Sequence, residues 1–293
     1  MGGSDEDDND DDDFREEETA TFDDVTGLAT PADLLGHQEG DALSTLIAKQ
    51  RLPWNAHQLW NGSAVVIPDS GDLPVATLPG DFRLTVLGPT LDRLYKLCLA
   101  WPDVLAGIDE PAVTAPADLL GRRDTWPPVW KDEEQRDPSK ANGSSIMLLA
   151  EYGDQALLLA ADGHAPDLAA ALERLCHERG VASMRFPLAA FKLPHHGSQK
   201  NLNRKVIEKT DCRRYLISTD GSGYQHPDHQ TILRVLRYSS QPPELLFNYD
   251  ADTTRPWRDK KSDVVAQGSQ DYQTAFPDNP AAGLILTVSA QAP

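Results

Sequence analysis

Cysteine is scarce in this chain. Cys98, Cys176 and Cys212 are widely spaced, odd in number and form no Cys-x-x-Cys pair, which argues against both a disulfide framework and a cysteine zinc site. They read as buried thiols. Long apolar runs are missing too: stretches such as Ala156 to Ala161 are far too short to span a bilayer. The N-terminus is acidic where a signal peptide is basic. These absences predict a cytoplasmic protein with no membrane partner. Cations are in the minority, 27 Lys and Arg against 46 Asp and Glu, which disfavours extended, nonspecific binding to nucleic acid.

The acidity is concentrated. Of the net charge of −19, the eleven carboxylates between Asp5 and Glu18, less Arg15, supply −10 and leave −9 for the rest. Such a run repels itself and buries nothing, so residues 1–30 are expected to form a disordered acidic tail. A hydrophobic fraction of 40% is enough for a core in the remaining residues, 31–293.

Hydrophobic patterning predicts the elements in order. Pro31 to Gln50 reads as helical, interrupted at Gly36 and Gly40; Ser63 to Ile67 and Phe82 to Leu87 read as strands, and Thr90 to Trp101 as a helix. Residues 102–142, rich in proline and charge, read as a surface insertion. Ile146 to Ala150 and Ala156 to Ala160 make a hairpin of buried strands, followed by a helix from Pro166 to Arg179. Next come a strand from Phe186 to Phe191, a helix from Asn201 to Lys209 and a strand from Arg214 to Ser218. A helix then opens with His226-Pro227-Asp228-His229, and Gly283 to Ser289 is the expected closing strand. The alternation predicts a layered α/β fold.

The chemistry gathers at strand ends. Asp162 follows one strand, His195 and His196 the next, and His226 lies in the loop after the one beyond; in α/β proteins such positions converge on one rim. A carboxylate with neutral imidazoles suits Zn²⁺ or Mn²⁺. Adjacent side chains at a strand end point to opposite faces, so one of the two histidines is expected to enter the site. Lys192, Lys200, Arg204 and Lys205 cluster beside the pair and would attract a phosphate or a nucleic-acid backbone.

The ordered series Asn142-Gly143-Ser144-Ser145-Ile146, Leu157 to His164, Lys192-Leu193-Pro194-His195-His196-Gly197-Ser198 and His226-Pro227 resembles the metallo-β-lactamase-fold hydrolases. Within them it is most similar to the branch that includes the hydrolase domain of the ComEC competence protein. The resemblance spans Phe82 to about Leu236. It implies an αββα sandwich with one or two Zn²⁺ or Mn²⁺ ions on its rim and hydrolysis of a phosphodiester or nucleic acid. By position it implies Asp162 and His195 as metal ligands, with His196 a second candidate, and His226 as the catalytic group that contacts substrate or protonates a leaving group. It also implies substrate contacts from Ser198, Lys200, Asn142 and Ser145.

Two departures stand out. Ala161-Asp162 replaces the family's Gly-Asp, adding a methyl group at the turn. The main ligand motif, His-x-His-x-Asp-His, is absent, and the only histidines before Asp162 are His37 and His57. Because the motif continues with an apolar residue and Gly-Gly, Met1-Gly2-Gly3 is expected to align just after it. That makes the sandwich N-terminally incomplete and predicts a longer protein or a complementing polypeptide that carries the first motif. The chain alone is then expected to be inactive. The competing expectation is a non-catalytic half-domain with a binding role.

Overall fold

The computed structural model describes residues 31–106, 125–131, 133–222 and 224–289. The expected acidic tail, its Met1-Gly2-Gly3 start and residues 107–124 of the expected insertion lie outside the described residues. In chain order the elements are α1 (Pro31–Gln50), β1 (Val75–Leu78), β2 (Phe82–Gly88), α2 (Leu91–Ala106), α3 (Lys140–Gly143), β3 (Met147–Tyr152) and β4 (Gln155–Leu159). They continue as α4 (Ala165–Glu178), β5 (Phe186–Leu188), β6 (Ala190–Lys192), α5 (Arg204–Glu208), β7 (Thr210–Cys212), β8 (Arg214–Ile217) and α6 (His229–Tyr238). The described part ends with β9 (Glu244–Phe247), α7 (Pro256–Asp259), α8 (Lys261–Val265) and β10 (Gln273–Ala275).

Eight strands form one mixed sheet in the order β1-β2-β3-β4-β6-β8-β9-β10, and β5 and β7 form a separate parallel pair. The α/β class read from the sequence holds. β1 to β4 run antiparallel, each joined to the next by chain connectivity. From β4 onward every neighbour is parallel, which is the arrangement that requires helical crossovers. α4 supplies the first: Leu168, Leu172 and Leu175 recur at helical spacing and are 0% exposed, each contributing about 1.5–3 kcal/mol of burial. α6 supplies another through Ile232, Val235 and Leu236, all buried. Among the described residues no helix is long and apolar enough to cross a membrane.

Several boundaries differ from the sequence reading. α1 runs through Gly36 and Gly40 without a break. Ser63 to Ile67 is not a strand; Ile67 makes a single bridge to Thr90, because the place beside β2 is taken by β1. Gly283 to Ser289 is not a strand either, since β10 occupies the edge beside β9 and Ile285 is 80% exposed. The expected strand Phe186 to Phe191 is two strands in two sheets, split at Ala189, whose N–H donates to Ala156 O at 2.8 Å. α5 begins at Arg204 rather than Asn201, with Asn203 Oδ1 capping Val206 N at 3.0 Å. α6 begins at His229, so His226 and Pro227 belong to the loop before it.

Candidate functional site

β4, β6 and β8 are parallel neighbours, so the loops that follow them share one rim of the sheet. The loop after β4 carries Ala161 and Asp162, the loop after β6 carries the histidine pair, and the loop after β8 leads to His226. Backbone bonds lash them together: His195 N donates to Ala161 O at 2.9 Å and Asp228 N to Gly197 O at 3.1 Å. Gly197 has φ +92°, and a Cβ there would stand 2.7 Å from Pro227 Cβ. Only glycine permits both the turn and this approach.

The two imidazoles do not alternate as they would on a strand. They sit in the tight turn Pro194–Gly197 with left-handed backbones, φ 43° at His195 and 56° at His196. Their rings lie 6.3 Å apart at 67°, and the His226 ring is 5.6 Å from that of His195. Ala161 (φ 46°) and Gln225 (φ 57°) are left-handed as well. Four non-glycine residues of the rim loops therefore hold a conformation that costs an L-residue roughly 1–2 kcal/mol.

Hydrogen bonds set the tautomer of both histidines. Asn201, fully buried, donates its amide to Asp137 Oδ2 at 2.7 Å and to Asp162 O at 2.9 Å. Its Oδ1 therefore faces His195 Nδ1 at 3.0 Å, and that nitrogen carries the proton. His196 Nδ1 lies 2.6 Å from Ser218 O and donates likewise. Each ring keeps Nε2 as its basic atom, the form in which histidine ligates a metal.

Asp137 is the hub that the sequence reading missed. It comes from the segment taken as a surface insertion, yet its Oδ2 accepts from both Asn142 (2.8 Å) and Asn201, and its Oδ1 from Ser139 N (2.9 Å). Its carboxylate stands 3.8 Å from His195 Nδ1, an electrostatic contact too long for a hydrogen bond. Burial disfavours the charge on Asp137, but His195 and the amide donors outweigh it and hold the carboxyl well below its ordinary range. In turn, burial opposes the charged form of His195, and Asp137, Asp162 and Asn201 more than compensate, raising its pKa.

The other expected site residues fall in different places. His226 Nδ1 lies 3.4 Å from Asp228 Oδ1, and Tyr224 stacks on its ring at 5.9 Å. Asp228 is itself held by Gln199 N at 2.7 Å. Asn142 serves the Asp137 hub. Ser145 closes the turn after α3 through its N–H to Asn142 O, 3.0 Å. Ser198 is 4% exposed and its Oγ accepts from Lys200 N at 3.3 Å, so it braces the turn. Lys200 is exposed. Lys192 turns inward, donating from Nζ to Leu193 O at 3.0 Å, and leaves the cationic cluster. Beside His226 opens a cleft of about 840 Å³ walled by Trp126, Tyr224, Asp228, Thr253 and Arg255.

For a metal, the fit is partial. Among the described residues no three His, Cys, Asp or Glu side chains are gathered closely enough to hold an ion. His195 and His196 offer two suitably protonated nitrogens, and Asp162 contributes its negative field to His195. Neither Asp137 nor Asn201 carried a signal in spacing or periodicity; their roles emerge only when distant segments meet. Among protein-family models, curated proteins and solved structures, none matches this chain.

Proposed function

We propose that the rim is part of the active site of a metal-dependent hydrolase of metallo-β-lactamase type, acting on a phosphodiester. The eight-stranded sheet is, on this reading, one leaf of an αββα sandwich. The observation that supports it best is the double tautomer lock, Asn201 on His195 and Ser218 O on His196, which is how proteins orient histidines that bind metal. Bound Zn²⁺ or Mn²⁺ would supply water activation and charge neutralisation. His195 and His196 would hold it through Nε2, with Asp162 as the carboxylate donor, and a complementing segment or polypeptide would add the remaining donors. His226, 3.4 Å from the Asp228 carboxylate, would deliver a proton to the leaving group.

The test supplies the chain with a His-x-His-x-Asp-His segment and measures metal content together with hydrolysis of bis(p-nitrophenyl) phosphate. Stoichiometric metal and turnover are expected, both lost in His195→Ala and Asp162→Ala. Asn201→Ala is expected to weaken metal affinity about 10- to 100-fold. No bound metal, or full turnover in Asp162→Ala, would overturn the reading. A second reading, a non-catalytic binding module, is favoured by the lack of a gathered donor triad among the described residues; it predicts nucleic-acid or phosphodiester binding without turnover in the same assay.

A further inference from the structure

Arg237, exposed in the last turn of α6, lies with its guanidinium 5.5 Å from the Trp130 ring and 6.0 Å from the Tyr238 ring. The two rings meet edge to face at 6.0 Å. Among the described residues Arg237 and the exposed Lys205 form no ion pair with a carboxylate, while the exposed Lys200 feels the negative field of Asp228. Of the nearby acids, Glu208 pairs with Arg204 Nε at 2.8 Å and Glu134 accepts from Arg204 N, while Glu133 meets α6 through its backbone carbonyl.

Hydrogen bonds from one buried arginine hold the mount of these cations. Arg234, 1% exposed, donates to Gln199 O (3.2 Å), Leu202 O (2.6 Å) and Glu133 O (2.9 Å). It thereby ties the turn that carries Lys200 to α6. Arg204 lies 4.8 Å from the Tyr238 ring and ties α5 to the same helix. An arginine held by aromatic rings rather than by a carboxylate keeps its planar fork of donors unspent, and that fork matches a phosphate.

We infer that this face binds the phosphodiester backbone of a nucleic acid, with Arg237 as the anchoring fork and Lys200 and Lys205 as flanking charges. The inference takes its phosphodiester chemistry from the function proposed above but uses none of the metal or proton-transfer residues. Binding without turnover is therefore the property to measure.

Fluorescence anisotropy of labelled oligonucleotides with the full chain, in EDTA, separates the two. Binding that weakens with salt is expected. Arg237→Ala and the pair Lys200→Ala/Lys205→Ala should reduce the logarithmic salt slope by about 0.7 per cation on a single strand, or about 0.9 on a duplex. The stronger-binding form identifies the partner as single strand or duplex. Arg237→Lys should keep the slope yet bind several-fold more weakly, because the stacked fork is lost. Lys96→Ala, an equal loss of charge on α2, should leave binding unchanged. No binding at low salt, an unaltered slope in the Arg237 and Lys200/Lys205 variants, or equal affinity for poly-glutamate of matched charge would overturn the inference.

Discussion

Asn201 Oδ1 accepts the Nδ1 proton of His195 at 3.0 Å while its own amide reaches both Asp137 Oδ2 and Asp162 O. One buried side chain thus fixes an imidazole, a carboxylate and the loop after β4. Asn201→Ala would leave three partly buried polar groups short of a partner. A loss of about 2–3 kcal/mol is expected, read as a lower urea midpoint with an unchanged slope. An unchanged midpoint would mean that the network contributes nothing to folding.

Ala161 occupies a left-handed backbone, φ 46°, at the position where the resembled motif has glycine. Ala161→Gly removes the Cβ penalty, so the variant is expected to be about 1 kcal/mol more stable. Thermal unfolding of the two proteins side by side decides it; a lower melting temperature in the variant would contradict the strain argument.

Acid should loosen the His226 loop. Burial raises the Asp228 pKa, but nearby His226 and the Gln199 amide more than reverse this, so the group lies below its ordinary 3.8. The unfolded chain then takes up the proton more readily than the folded one. The contribution of Asp228 is therefore complete above the ordinary value and fades as pH falls through the depressed one. Urea titrations across this range should show wild type losing its advantage over Asp228→Asn. A constant gap between the two proteins at every pH would refute the linkage.

The thiols should divide by position. Cys98 is exposed, contrary to the reading of all three as buried, while Cys176 and Cys212 are buried. Burial pushes the Cys212 thiol up to about 12, far from reactivity. A thiol reagent is expected to modify Cys98 rapidly in the native protein and the other two only after unfolding; fast native labelling of Cys212 would be the contrary result.

The β3–β4 hairpin and α4 were legible because their apolar residues recur over the whole element. β1, β9 and β10 were not: they are three or four residues long, and their existence depends on which neighbour fills each edge of the sheet. The same logic governs the site. His195, His196 and His226 announce themselves as residue types at strand ends, and the structure brings them to one rim. Asp137 and Asn201 act through partners far along the chain, and a lone Asp in a proline-rich segment looks like any solvated carboxylate.

The left-handed backbones of Ala161, His195, His196 and Gln225 also bear on how the molecule comes apart. Their conformational cost is concentrated in the loops, whereas the neighbouring strands carry the buried core. The rim is therefore expected to open before the sheet, because opening there relaxes the backbone at little cost in apolar contact. Hydrogen–deuterium exchange should then find the amides from His195 to Gln199 exchanging ahead of those of β4 and β8.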